Sequence, residues 1–214
     1  MTETNPSIVS VSGTGTASAP PDAMRIRLAA SAFRPTLAAA LADSESAAAR
    51  VRAAFAAGGV AAKDAVTQGL SVHAEQVWTE GKGNEVTGYR SDHELLVTTR
   101  DMDAAGRVLG EALVAGGDDV RLHGVEFVVE DDAPLLVEAR AAAWRDAVAK
   151  AEQIAGLAGR PLGRVVSVVE GGVGAMPPPM PKMRMMAAMA APDMAVEPGG
   201  VDVHVSLAVQ WELE

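Results

Sequence analysis

Residues 66–100 read VTQGLSVHAEQVWTEGKGNEVTGYRSDHELLVTTR, and this stretch decides the fold class. Val66, Leu70, Val72 and Val77 punctuate one β-rich run, and Val86, Tyr89, Leu95 and Val97 punctuate a second. Between them Glu80–Glu85, EGKGNE, has the glycines and polar residues of a hairpin loop. Strands joined so tightly run antiparallel, because a parallel pair needs a crossover of roughly a dozen residues or more.

Towards the N-terminus, Thr36–Ala57 is alanine-rich, with Leu37, Leu41, Val51 and Phe55 at near-helical spacing and Gly58-Gly59 to close it. One long amphipathic helix is predicted. Met24–Phe33 alternates, with Met24, Ile26 and Leu28 on one side and Arg25 and Arg27 on the other, as a half-buried strand does. Before it, Ser7–Ala17 (SIVSVSGTGTA) is a β-rich run of small and hydroxyl residues, and Pro20-Pro21-Asp22 is a turn. Towards the C-terminus, Asp101–Ala115 is a second helix, opened by Asp101 as N-cap and closed by Gly116-Gly117. Val120–Glu130 is a strand, Asp132–Ala158 a longer helix ended by Gly159 and Pro161, and Val165–Val169 a fully apolar strand. Val201, Val203, Val205, Leu207, Val209 and Trp211 mark an alternating strand at the end. The order ββαββαβαββ predicts an α+β fold, 1–214 as one domain, with a largely antiparallel sheet and three helices packed on it. Ala38–Ala40, Ala47–Ala49 and Ala141–Ala143 give those helices small faces for close approach.

Composition narrows the function. Of the residues, 49% are apolar, yet three Phe, three Trp and one Tyr are all the aromatic bulk, so Ala and Val must fill the interior. A formal charge of −10 argues against nucleic acid, whose phosphates need a basic footprint, and against an anionic membrane surface. The absence of cysteine excludes disulfides, thiolate metal sites and thiol catalysis. MTETNPSIVSVSG has neither a basic n-region nor an apolar h-region, and no run approaches the roughly 20 apolar residues that span a bilayer. The expectation from the chain as written is a cytoplasmic protein.

Several short pieces, in this order, resemble the SIMPL-domain family, long catalogued as a domain of unknown function. They are Val9–Gly15 (VSVSGTG) followed by Pro21-Asp22, Gly59-Val60, Thr67–Leu70 (TQGL), Gly88-Tyr89, Phe127 within GVEF, the alanine ladder from Ala139 through Ala155, and Glu197-Pro198-Gly199. Together they cover almost the whole chain. The resemblance implies an α+β fold and a non-enzymatic or unassigned role, without a cofactor. It implies periplasmic or envelope relatives, one an immunogenic protein that assembles into a ring-like or channel-like homo-oligomer. It also brings a link to oxidative-stress tolerance and, in the founding animal member, an adaptor role. The expectation from the N-terminus as written is a departure from the bacterial pattern, without an export signal.

Candidate chemistry is sparse. His73, His93, His123 and His204 lie in predicted strands without a short ligand motif. His73 with Glu75, and His93 with Glu94, would have to converge in space to hold zinc, and ordinary strand histidines are the simpler reading. Ser10, Ser12 and Ser18 lack a G-x-S-x-G elbow. Asp118-Asp119 and Asp131-Asp132 suit turns and helix N-caps. Gly13-x-Gly15 is half a dinucleotide fingerprint without its following helix. No catalytic residue is assigned.

Met176–Met194, MPPPMPKMRMMAAMAAPDM, is the other informative stretch. It holds seven of the ten methionines and five of the twelve prolines, and a connection this long and biased between strands suggests an arm or contact surface over 173–198. Adaptable apolar packing of Met176, Met180, Met183, Met186 and Met189 on a second copy of the chain, or on another protein, is the favoured reading. The alternatives are Cu(I) held by the thioethers of Met183, Met185, Met186 and Met189, contact with a membrane through Lys182 and Arg184, or a loop without a partner.

Overall fold

The computed structural model describes residues 7–171 and 199–214. Along them run β1 (Ile8–Ala19), β2 (Ala23–Arg34), α1 (Leu37–Ala57), β3 (Ala65–Thr79), β4 (Gly83–Thr99), α2 (Ala105–Gly116), β5 (Val120–Val128), α3 (Ala133–Leu157), β6 (Leu162–Glu170) and β7 (Val201–Leu213). The fold is α+β and its strand pairs are antiparallel. The order of elements is the one the sequence predicts, but the strands divide between two sheets, β1-β7-β6 and β3-β4-β2-β5, instead of forming one. Pro20-Pro21-Asp22 is therefore not a hairpin turn. β1 pairs with β7 from Ile8↔Glu212 to Ala19↔Val201, while β2 lies between β4 and β5. Alternation reveals which side of a strand is apolar; the choice of partner rests on what each face must fit. β2 offers large side chains to a core, whereas β1 offers glycines to a helix. The described residues form two compact units, one of residues 7–20, 129–171 and 199–214 and one of Pro21–Val128.

In Pro21–Val128, α1 lies on the four-stranded sheet and α2 packs mainly along α1. Met24, Ile26 and Leu28 of β2 share a core with Val51 and Phe55 of α1, Leu95 and Val97 of β4, and Val108 and Leu109 of α2. Thr36 caps α1, its Oγ1 accepting from the Ala39 N–H at 3.3 Å. The helix ends at Gly58, against which Val108 packs so closely that a Cβ there would sit 2.5 Å from it. Asp101 accepts from the Ala104 N–H at 3.0 Å, so it caps the turn that leads into α2, whose helical residues start later than the sequence suggests.

In the other unit, α3 lies on β1 and β7. Ala139, Ala143, Ala147, Ala151 and Ala155, spaced four apart on one stripe, are buried. Opposite them, Gly13 and Gly15 let the helix backbone touch the strand. A Cβ on Gly15 would lie 2.1 Å from the Ala139 carbonyl oxygen, and one on Gly13 the same distance from that of Ala143. Glycine in VSGTG and alanine in the ladder are thus two halves of one contact. The side chains of α3 also satisfy the free edge of β1: Asp146 accepts from the Thr14 N–H at 2.8 Å and Lys150 donates to the Ser12 carbonyl at 2.9 Å. The Lys150 ammonium, then the Thr14 amide, hold the Asp146 carboxyl below its ordinary value. Trp211 packs tilted against Trp144 of α3, ring centroids 5.9 Å apart.

Candidate interaction surface

The β3–β4 hairpin is longer than the sheet that supports it. β2 accompanies β4 only as far as Arg34↔Tyr89, whereas β3 and β4 stay paired from Glu75↔Gly88 out to Thr79↔Gly83. The turn closes with the Lys82 N–H donating to the Thr79 carbonyl at 3.0 Å, and Gly81 and Gly83 take φ of 82° and 81°, which glycine adopts without strain. Residues 75–88 thus form a two-stranded ribbon, a structure marginal in water unless packed on something. Val77, Trp78 and Val86 on it are 55%, 67% and 51% exposed. The sequence reveals both strands, but it suggests a loop over 80–85 where β4 already begins at Gly83. The hairpin is the one the sequence predicts, with a shorter loop, because Gly83, Asn84 and Glu85 pair with Thr79, Trp78 and Val77.

The base of the ribbon is clamped. Arg90 forms an ion pair with Glu75, donates to Ser31 Oγ at 3.3 Å and lies 5.6 Å from the centroid of the Phe33 ring. The same ring occupies the space that a Cβ on Gly88 would need, 2.5 Å away, which is the physical role of glycine in the Gly88-Tyr89 pair. Thr87 adds a bond from its hydroxyl to the Glu75 carbonyl at 3.1 Å.

The histidines are dispersed. His73 and His123 are exposed, and His204 is bonded to Thr16 Oγ1 at 2.8 Å. His93 is 9% exposed, with Nε2 2.9 Å from Thr67 Oγ1, which also accepts from Arg52 at 3.1 Å. The Thr67 hydroxyl can donate to Nε2 or accept from it, and Nδ1 is the buried ring atom with no partner among the described residues. Burial first, then the Arg52 cation, push the His93 pKa down, with Glu45 opposing. Among the described residues no three His, Cys, Asp or Glu side chains are grouped so as to hold a metal. Ser18 donates to Asp202 at 2.5 Å on the same strand pair where His204 is engaged by Thr16. In a hydrolytic triad the imidazole stands between serine and carboxylate; here serine and carboxylate bond directly and the ring is held by a different hydroxyl.

Met176, Met180, Met183, Met185, Met186 and Met189, with the whole of 173–198, lie outside the described residues.

The family model for SIMPL, a protein of unknown function (DUF541), matches residues 9–211. This chain belongs to the SIMPL family. It is 31% identical over 224 residues to the 26 kDa periplasmic immunogenic protein of Brucella melitensis biotype 1, an alignment that spans 99% of this chain and 86% of that protein. The same protein of Brucella abortus (strain S19) matches with equal identity and coverage. The uncharacterized protein YggE of Escherichia coli (strain K12) is 33% identical over 138 residues, 64% of this chain and 54% of YggE. No helix among the described residues is long and apolar enough to cross a membrane.

Proposed function

We propose that this SIMPL protein is an envelope-associated scaffold that assembles with copies of itself and performs no catalysis of its own. The observation that carries the reading is the ribbon of residues 75–88, where Val77, Trp78 and Val86 stand more than half exposed beyond the edge of β2. An apolar projection of this kind is a liability on a free monomer and an asset at a contact. The polar groups that first invite a catalytic reading, Ser18, Asp202 and His204, are engaged in cross-strand bonds that favour a structural role. The word periplasmic in the name of the Brucella relatives supports the envelope placement.

Met176, Met180, Met183, Met186 and Met189 supply a second contact with a neighbouring copy, in keeping with the way methionine fits irregular partner surfaces. A link to oxidative stress fits such a segment, since thioethers are readily oxidised to sulfoxides. The reading is tested by light scattering on the full chain beside a variant with Val77, Trp78 and Val86 replaced by Ser. The native protein is expected above monomer mass and the variant at a smaller mass with its circular dichroism unchanged. Equal masses for the two would remove the ribbon from the contact. A second reading, Cu(I) handling by Met183, Met185, Met186 and Met189, is favoured by their M-x-M-M-x-x-M spacing alone. Cu(I) titration under reducing conditions, repeated after changing all four to Leu, separates the two, because Leu keeps an apolar contact and loses the ligand.

A further inference from the structure

β6 is built as a buried strand and left at an edge. Among the described residues it pairs with β7 alone, and α3 lies over β1 and β7. Val165, Val166, Val168 and Val169 are 40%, 46%, 50% and 59% exposed, so apolar side chains face outward on both sides of the strand. A valine-rich run is the pattern of a strand covered on both faces, and natural edges are usually blunted by charge, proline, a bulge or a covering element. β6 has a bulge against β7, where Val166 falls between Val165↔Trp211 and Ser167↔Gln210 without a partner, but neither charge nor proline between Arg164 and Glu170. The opposite edge of this sheet has such cover, since Asp146 and Lys150 of α3 take up the outward amide of Thr14 and carbonyl of Ser12.

The sequence of the strand names its occupant. Residues 164–170 read Arg-Val-Val-Ser-Val-Val-Glu, which is palindromic in chemistry about Ser167. We propose that β6 pairs antiparallel with β6 of a second copy across a two-fold axis at Ser167, joining the two three-stranded sheets edge to edge. In that register Val165 faces Val169, Val166 faces Val168, and Arg164 faces Glu170 at both ends, the cross-strand pairs that stabilise an antiparallel ladder. An isologous contact of this sort is self-complementary and closes at two copies. The charges fit without losing their present partners. Arg164 donates to Glu212 at 2.8 and 2.6 Å, and Glu170 accepts from Arg140 at 2.9 Å. Pairing strings them into a row of alternating sign, Arg140, Glu170, then Arg164 and Glu212 of the second copy. The Arg164 side chain is 79% exposed, which leaves its remaining donors free to turn towards that carboxylate.

This inference rests on the self-assembly proposed above and names one surface of it. The chain has no cysteine, so one introduced thiol gives an unambiguous readout. In Ser167→Cys the new thiol would stand directly opposite itself, at a cross-strand separation a disulfide can bridge. Ser71→Cys, midway along the open edge of β3, is the control. Under mild oxidation S167C is expected to convert mostly to a covalent dimer, reversible by dithiothreitol, while S71C stays largely monomeric on a denaturing gel. A second variant, Val166→Lys with Val168→Lys, alters exposed positions only and is expected to lower the native mass. An S167C protein that cross-links no more than S71C overturns the pairing, as does a lysine variant of unchanged native mass. Either result beside an intact native assembly would refute this surface alone, whereas a monomeric parent protein would refute the assembly reading as well.

Discussion

Gly15→Ala adds one methyl group at the tightest point of the molecule. The new Cβ would fall 2.1 Å from the Ala139 carbonyl oxygen, 2.4 Å from the Ala143 nitrogen and 2.8 Å from the Ala142 Cβ. Carbon and carbonyl oxygen normally approach no closer than about 3.3 Å, so α3 must retreat from β1 by about 1.2 Å. Two of the three obstacles are helix backbone, which cannot rotate aside. A gap of about 1 Å forfeits up to about half of each dispersion contact, and here it opens along the stripe of Ala139, Ala143 and Ala147. Overpacking of this kind costs about 1–3 kcal/mol and sometimes more; alanine recovers about 0.5–1 kcal/mol by reducing the freedom of the unfolded chain. The net loss expected is about 1–2 kcal/mol, a sizeable part of a stability of about 5–15 kcal/mol. Urea unfolding followed by tryptophan fluorescence reads it, because Trp144 and Trp211 both report on the α3 unit. Gly124→Ala is the control: its nearest neighbour is an Arg27 nitrogen 4.0 Å away, so no loss is expected. If G15A is within about 0.5 kcal/mol of the native protein, the close contact of α3 with β1 is wrong.

Ser44 and Ser91 form a buried pair at 2.8 Å between α1 and β4, so Ser44→Ala alone should cost about 1–3 kcal/mol by stranding Ser91. The double change to alanine should cost less than the two single losses together, and a double-mutant cycle by urea unfolding checks it. The His93 pKa is lowered in the fold, by burial first and then by the Arg52 cation, while the unfolded chain takes up a proton near pH 6.5. Its contribution is therefore complete above that pH and is lost as pH falls below it, so urea midpoints should decline from pH 8 towards pH 5, less steeply in His93→Gln. Deleting Ala175–Ala195 should leave circular dichroism intact and reduce the native mass. β6 and β7 are already neighbours, and Gly171 bonds to Ser206, about 17 Å along β7 from Val201. Residues 172–174 and 196–200 reach about 27 Å when extended, so they can still close the connection. An unfolded deletion protein, or one of unchanged mass, would count against the arm as a contact.

Much of the fold was legible because local rules act on local residues. The hairpin about EGKGNE, the glycine stop at Gly58 and the alanine ladder each follow from one or two turns of chain. The division into two sheets was not legible, since β1 finds its partner at the far end of the sequence and nothing in SIVSVSGTGTA names β7. The close contact of Gly13 and Gly15 with α3 was similarly hidden: glycine in a strand announces that something comes near without saying what. For the surface, the composition of Val165–Val169 shows an apolar strand, and only the strand order places it at an edge. The orphan Nδ1 of His93 had no signal in sequence, because its isolation depends on what surrounds β4 in space.

The central claim is that this protein works as an assembly of copies. Light scattering coupled to size-exclusion chromatography on the full chain tests it most directly. The account predicts a mass that is a multiple of the 21.9 kDa monomer and persists on dilution. A single species at 21.9 kDa across the concentration range would contradict it.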